Sequence, residues 1–288
     1  MIKKIKRSAL DLDKYSACLQ RAINYRVYAE YWYLDTLTDS QWDCLVLNDY
    51  EAIMPLPYQK KLGIKFISQP TYCQQLGVFY ANSFPQEIVQ LFYKEINHQL
   101  VRYYTFNEEN TQYLAPNLPQ KVNQILNLNV EYNQYKKSLR KNRKQELNKG
   151  LQGAQIIYSE TAQDFIALLK TEYPAIQKQL ALDKLHPLVQ IIQQKKLGIT
   201  INIIENQQVV ASSFYIKSGN RLIQLCNAKK NNSIFNYNTF IVDHMIQKFN
   251  QQGFILDFEG SSIKGIQDFN ASFRAEKKTF VHCKSPLF

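Results

Sequence analysis

One order of elements occurs twice in this 288-residue chain, and that repetition constrains the fold more than any single motif does. In the first half, residues 43–48 and 52–57 are short apolar runs joined at Asp49-Tyr50, the pattern of a β-hairpin. Extended stretches at 64–68 and 74–79 follow. Ile88, Leu91, Phe92 and Ile96 then fall at i, i+3, i+4 and i+8 behind Pro85, which is suited to a first helical turn, and 100–106 reads as a strand. The second half repeats the order. Residues 199–204 and 209–216 form a hairpin around a turn at 205–208, and 221–228 is the next strand. A helix at 237–249 places Phe240, Ile241, His244, Met245 and Phe249 on one face, and 254–258 is the closing strand. The copies lie about 155 residues apart. The pattern predicts a duplicated α/β module, an α+β arrangement on a mixed sheet, and the length suits two domains. We place them at 1–128 and 129–288.

The segment between the copies carries its own signals. Residues 107–120 are polar and contain Pro116 and Pro119, and 121–128 reads as a last strand. From 130 to 151 no proline or glycine intervenes before Gly150, which predicts one long helix closed there. Two further helices are expected at 162–171 and 187–196.

The charge is concentrated in that long helix. The chain has 35 Lys+Arg against 24 Asp+Glu, a net +11. Between 136 and 149 sit Lys136, Lys137, Arg140, Lys141, Arg143, Lys144 and Lys149 against Glu146, seven minus one, or +6. On a continuous helix Lys136, Arg140, Arg143 and Lys144 would form one ridge ~12 Å long, and Lys137, Lys141 and Lys144 a neighbouring one. Tyr132, Tyr135, Leu139 and Leu147 would dock it. Such a ridge is either a landing strip for phosphates, of tRNA, a nucleotide-linked precursor or a lipid diphosphate, or a solvated face.

Composition narrows the class. With 45% hydrophobic and 13% aromatic residues the chain can bury a core. Cys18, Cys44, Cys73, Cys226 and Cys283 include no C-x-x-C pair, which points to a reducing compartment. Residues 1–7 are basic, but Asp11 and Asp13 fall where a signal peptide needs an apolar stretch. No run reaches the 18 apolar residues of a membrane span, so a cytoplasmic protein is expected, touching a membrane at most peripherally. His98, His186, His244 and His282 lack ligand spacing and no metal site is expected. G-x-S-x-G, P-loop and G-x-G-x-x-G motifs are absent, leaving chemistry in which the substrate supplies the nucleophile.

Two segments carry candidate site residues. An alternating strand at 254–258 puts Leu256 and Phe258 on one face and Ile255, Asp257 and Glu259 on the other, with Gly260 allowing a sharp turn and Ser261 or Ser262 capping a helix at 263–272. Ligands gather at carboxyl ends of strands in α/β sheets, so Asp257 and Glu259 are candidates for a general base or for gripping an ammonium. Equally, either could cap that helix or pair with Lys264 or Arg274. In the first half, Tyr72, Gln74 and Gln75 follow Gln69-Pro70 in a loop whose amides suit a polar ligand, or satisfy buried backbone.

The run Asp257-Phe258-Glu259-Gly260-Ser261, the later Phe269-Asn270-Ala271-Ser272-Phe273 and the upstream Ser138-Leu139-Arg140-Lys141-Asn142 together resemble Fem-type peptidyltransferases, the methicillin-resistance factors of the GNAT acyltransferase superfamily. Met54-Pro55-Leu56-Pro57 and Gln74-Gln75-Leu76-Gly77-Val78-Phe79 are similar in the same way, and the resemblance covers nearly the whole chain. It implies two tandem GNAT-like modules with a cleft between them, and transfer of an acyl or aminoacyl group to an amine, from acyl-CoA or aminoacyl-tRNA, in a cell-wall context. It implies that strand 221–228 splays from its neighbour and that its amides face the reacting carbonyl. By the same resemblance Asn227, Asn232 and Asn236 would contact the donor, and Tyr72, Gln74, Gln75, Arg140, Arg143, Ser261 and Arg274 the acceptor or its phosphates. The chain departs from the GNAT pattern in its glycine-free segment 229–236, and in Arg274 where a glycine is expected. A non-catalytic pair that binds RNA or an anionic precursor is the rival reading.

Overall fold

The computed structural model describes residues 1–81, 85–178, 180–231 and 236–287. The chain divides into two compact units, Met1–Lys121 with Thr279–Phe288, and Val122–Lys278. The sequence places the division after 128; the structure places it at 121 and returns the last ten residues to the first unit.

In the first unit β1 (Ile2–Lys6) leads through α1 (Leu12–Arg21) and α2 (Tyr31–Thr38) to β2 (Trp42–Leu47), β3 (Ala52–Lys61) and β4 (Ile64–Ser68). These pair antiparallel in the order β1-β2-β3-β4. A short β5 (Phe79–Tyr80), α3 (Pro85–Asn97), β6 (Val101–Thr105) and α4 (Glu108–Thr111) complete the run, with β6 parallel to β4. The expected hairpin, third strand, helix and closing strand are all present. Every residue of β2 is buried, because Tyr15 of α1 packs on Trp42 with ring centroids 5.4 Å apart on one side, while Leu45, Met54 and Leu56 fill the other.

In the second unit β7 (Gln120–Asn127) precedes α5 (Tyr132–Ser138), α6 (Lys141–Lys149), β8 (Gln155–Ser159), α7 (Gln163–Glu172) and α8 (Leu182–Gln194). Strands β9 (Gly198–Glu205), β10 (Gln208–Ser218) and β11 (Arg221–Lys229) follow, then α9 (Tyr237–Phe249), β12 (Ile255–Asp257) and α10 (Lys264–Ser272); the last strand, β13 (Glu276–Cys283), belongs to the first unit from Thr279 on. The sheet runs β8-β9-β10-β11 antiparallel, then β12 parallel to β11 and β7 antiparallel to β12. Phe214 of β10 stacks on Phe165 of α7, with centroids 5.9 Å apart, and the adjacent Tyr215 joins Ile241 and Met245 of α9 in the core. Packing on both faces leaves 210–216 of β10 buried without alternation, Ser212 and Ser213 included.

The two sheets share one plan, and each takes its sixth strand out of chain order. Strand β7 follows β6 in sequence yet pairs with β12, while β13 follows β12 yet pairs with β6 through His282–Thr105 and Cys283–Tyr104.

The long helix expected at 130–151 is two helices. Leu139 and Arg140 take extended backbone (ψ 152° and 149°), since Leu139 turns into the core, where it is 2% exposed. Helix α8 starts at Leu182, five residues before the expected position, and holds Pro187 within it.

Candidate functional site

Strands β11 and β12 pair in parallel for three residues, Arg221–Ile255, Leu222–Leu256 and Ile223–Asp257, and then part. On its other side β11 carries a bulge: Tyr215 pairs with Gln224 and Phe214 with Cys226, so Leu225 is an extra residue that bends the strand. A cavity of ≈ 440 Å³ lies in the opening, bounded by Gln224–Lys229 on one side, by Phe258–Ser261 on the other, and by the α10 face of Gly265, Ile266, Phe269 and Asn270.

Its walls are mostly uncharged. Asn238 of α9 accepts hydrogen bonds from Gln224 Nε2 (3.1 Å) and Ser213 Oγ (3.4 Å), and Gln224 also donates to Tyr215 OH (3.0 Å). Asn270 Nδ2 donates to Gln124 Oε1 at 3.1 Å. Glu259 is the one carboxylate among the described lining residues, and Lys229 the one cation. Burial, with Glu259 adding to it, pushes the Cys226 thiol up to about 12, so the sulfur stays protonated and is not a nucleophile near neutral pH.

Asp257 and Glu259, which sequence treats as equivalents, have different situations. Asp257 is 3% exposed; its Oδ2 accepts from Arg221 Nη1 (2.8 Å), and its Oδ1 from Asn123 Nδ2 (3.0 Å) and from the backbone N–H of Glu259 (2.9 Å). It is fully engaged by a buried arginine and cannot serve as a base, which corrects its assignment as catalytic. What it does is hold the turn that presents Glu259. That residue has φ +55°, followed by Gly260 at φ +54°. A Cβ on Gly260 would lie 2.2 Å from the Val122 carbonyl oxygen, so only glycine fits.

The other expected site residues separate. Asn227 and Asn236 line the cavity, as does Ser261, whose Oγ accepts from the Ile263 N–H at 3.0 Å. Asn232 lies outside the described residues. Arg274 is exposed, away from the cavity lining, with φ +65° at the end of α10 and its Nε on the Ser138 carbonyl oxygen. The left-handed backbone is why a glycine is the expected residue there.

The basic segment changes most. Arg143 is 4% exposed; it donates to Ser272 Oγ (2.9 Å), Thr239 Oγ1 and Glu146, and its guanidinium lies 4.5 and 4.8 Å from the ring centroids of Phe269 and Phe273. It ties α6 to α9 and α10, so its assignment to phosphate is corrected to a structural one. The break at Leu139-Arg140 dissolves the four-residue ridge. Lys137, Arg140, Lys141 and Lys149 remain exposed.

In the first unit the corresponding opening is closed by its own loop. Gln69 Nε2 donates to the Cys73 carbonyl and to Thr105 Oγ1, and Gln69 Oε1 accepts from the Thr105 N–H (2.8 Å). Leu76 continues the parallel pairing to Phe106. Gln75 is fully buried, accepting from the Glu108 N–H at 3.0 Å and donating to Gln74 Oε1 at 3.1 Å. Gln74 and Tyr72 offer their carbonyls to Thr105 Oγ1 and to Tyr33 OH. Gln69 and Gln75 satisfy buried backbone, and the full burial of Gln75 runs contrary to the ligand-binding expectation for it. Gln224, Asn238 and Asn270 were missed; the polar interruptions they make in otherwise apolar elements are the signal that could have found them.

Among the described residues no cluster of His, Cys, Asp and Glu is placed to hold a metal ion, and no helix is long and apolar enough to cross a membrane. No protein-family profile and no curated protein matches the chain. Solved structures do. The chain is similar to FemX at 10% identity and TM-score 0.65, covering 96% of each chain. It is also similar to the C-terminal domain of a putative lysylphosphatidylglycerol synthetase from Agrobacterium fabrum (9% identity, TM-score 0.57, 94% of this chain and 90% of that one). A tandem GNAT protein from the clavulanic acid biosynthesis pathway matches over 98% of each chain at 8% identity and TM-score 0.53. The fold is the Fem-like double-GNAT arrangement.

Proposed function

We propose that the chain is an acyltransferase that moves an acyl or aminoacyl group from an activated donor to an amine, with the reaction in the second unit. The observation that carries this reading is the parting of β11 from β12 beside a single carboxylate, Glu259, in a cavity large enough for a small acyl group and an amine. The amine nitrogen attacks the donor carbonyl carbon, the C–N bond forms, and the carbonyl oxygen becomes an oxyanion beside the β11 backbone, whose N–H groups past Ile223 have no strand partner on that side. The C–O or C–S bond to the carrier then breaks. Glu259 takes the proton that the amine loses, and the leaving oxygen or sulfur is protonated in turn.

Two features favour an aminoacyl ester over an acyl thioester. Segment 229–236 has no glycine to let backbone approach a pyrophosphate closely. Exposed Lys137, Arg140 and Lys141 belong to the same unit as the cavity and suit the phosphates of a tRNA carrier. A cytoplasmic enzyme acting on a cell-wall precursor would have such a donor at hand. Transfer of label from a panel of aminoacyl-tRNAs and acyl-CoAs to amine acceptors tests the proposal. Turnover that Glu259→Gln lowers by about 10²–10⁴ is expected. RNA binding with no turnover from either donor class would instead favour a non-catalytic double-GNAT protein.

A further inference from the structure

The first unit has a cavity of its own, of ≈ 610 Å³, at the end of the sheet where β1 and β3 finish and β2 and β4 begin. It shares no residue with the cavity of the second unit. Lys6, Arg7, Lys60 and Lys65 line it, together with Asp43 and Tyr58.

Two of the cations are held in place by carboxylates. Arg7 is clamped on Asp35 through Nε (2.9 Å) and Nη2 (2.6 Å), and Trp42 Nε1 donates to the same carboxylate at 2.8 Å. Lys65 reaches Asp43, whose side chain is only 4% exposed, and its Nζ lies 3.5 Å from the Tyr58 ring centroid. The same Asp43 oxygen is 3.7 Å from Lys4 Nζ, so one buried carboxylate serves two ammonium groups. Burial holds the Lys4 ammonium below its ordinary value; Asp43 opposes that shift and Lys65 adds to it. Lys6 and Lys60 are exposed and make no ion pair with another described residue. Five cations against Asp35 and Asp43 leave an excess of three positive charges around one cavity.

We propose that this cavity binds a phosphate-bearing ligand. A cavity of this size accommodates a phosphate or diphosphate group with part of what it esterifies. Arg7, fixed by Asp35 and packed over Tyr31 and Trp42 at 5.8 and 5.5 Å, supplies a preorganised wall. Lys6 and Lys60 supply mobile point charges that close on the anion. The inference stands independently of acyl transfer, since none of these residues lines the other cavity.

The test is calorimetric titration of the full chain with inorganic pyrophosphate at low ionic strength, with sedimentation of phosphatidylglycerol vesicles as a second arm. Lys6→Ala with Lys60→Ala removes neither partner of a buried carboxylate and should leave the unfolding midpoint unchanged while weakening binding about tenfold or more. Lys60→Glu alone is the second variant and should weaken binding as well. The control is Lys137→Ala with Lys141→Ala, which removes the same charge from the second unit and should change binding less than about twofold. Pyrophosphate binding lost only in the first-unit variants supports the site for a soluble ligand. Vesicle binding lost only in those variants, without pyrophosphate binding, supports it for a lipid headgroup. Binding of neither probe, or equal loss in both double variants, overturns the proposal.

Discussion

Replacing Arg143 with methionine distinguishes a structural arginine from a phosphate ligand. The guanidinium donates to Ser272 Oγ at 2.9 Å, to Thr239 Oγ1 and to Glu146, and it sits against Phe269 and Phe273. Methionine keeps most of the aliphatic packing and loses all of the polar contacts. Glu146 retains its hydrogen bond from Thr239 Oγ1 (2.9 Å), and its side chain is 27% exposed, so water relieves part of the cost of losing its cation. A charge-assisted hydrogen bond contributes about 1.5–3 kcal/mol and a cation–π contact about 1 kcal/mol, so the loss should be about 3 kcal/mol, near the lower end for breaking a buried pair. For a unit of this size that lowers the unfolding midpoint by about 6–12 °C. Urea and thermal unfolding followed by circular dichroism measure it. Arg140→Met, on an exposed side chain, should stay within about 0.5 kcal/mol. Adding Glu146→Leu to Arg143→Met should recover part of the loss, because no half-buried charge then lacks its partner. A loss below about 1 kcal/mol for Arg143→Met, or an equal loss for Arg140→Met, would refute the reasoning.

Asp257→Asn should destabilise the second unit by about 3 kcal/mol by removing the charge that Arg221 Nη1 meets at 2.8 Å, whereas Glu259→Gln should destabilise it less and lower turnover; the reverse pattern would exchange the two roles. Gly260→Ala, with its Cβ 2.2 Å from the Val122 oxygen and a φ of +54°, should cost at least about 2 kcal/mol by urea unfolding and distort the cavity rim. Burial raises the Asp243 carboxyl above its ordinary 3.8, with hydrogen bonds from Gln247 and Tyr132 opposing the shift. The native state therefore holds that proton more tightly than the unfolded chain does. The Asp243 contribution is present below 3.8 and lost as pH rises through the folded value, so Asp243→Asn should flatten the stability profile above about pH 4. A steeper decline in the variant would contradict the assignment.

Much of the site's frame was legible because it depends on local patterning. Short, largely apolar segments mark β9, β10 and β11 within one or two residues, and helical spacing marks α9 at its observed bounds. Of the unusual Asp257–Ser261 segment, Phe258–Ser261 do border the cavity. What stayed hidden depends on partners distant in sequence. Asp257 pairs with Arg221, which lies 36 residues upstream, and nothing in the alternation of β12 distinguishes it from Glu259. Residues 2–6, 155–159 and 276–283 are edge or exchanged strands whose mixed exposure gives no clean alternation. The basic segment misled for a related reason: helix spacing described a continuous ridge, while burial of Leu139 interrupted it and drew Arg143 inward.

The sequence by itself determined the duplicated order of hairpin, strand, helix and strand, because apolar periodicity is written in the chain and each module must bury the face it generates. Only the tertiary structure decided that the opening in the first unit is filled by Gln69, Gln75 and Leu76 while the opening in the second forms a cavity. It also decided that Asp257 supports and Glu259 faces the cavity. Both outcomes rest on which polar group meets which across the sheet, and a buried charge or amide takes its role from the partner that folding brings to it.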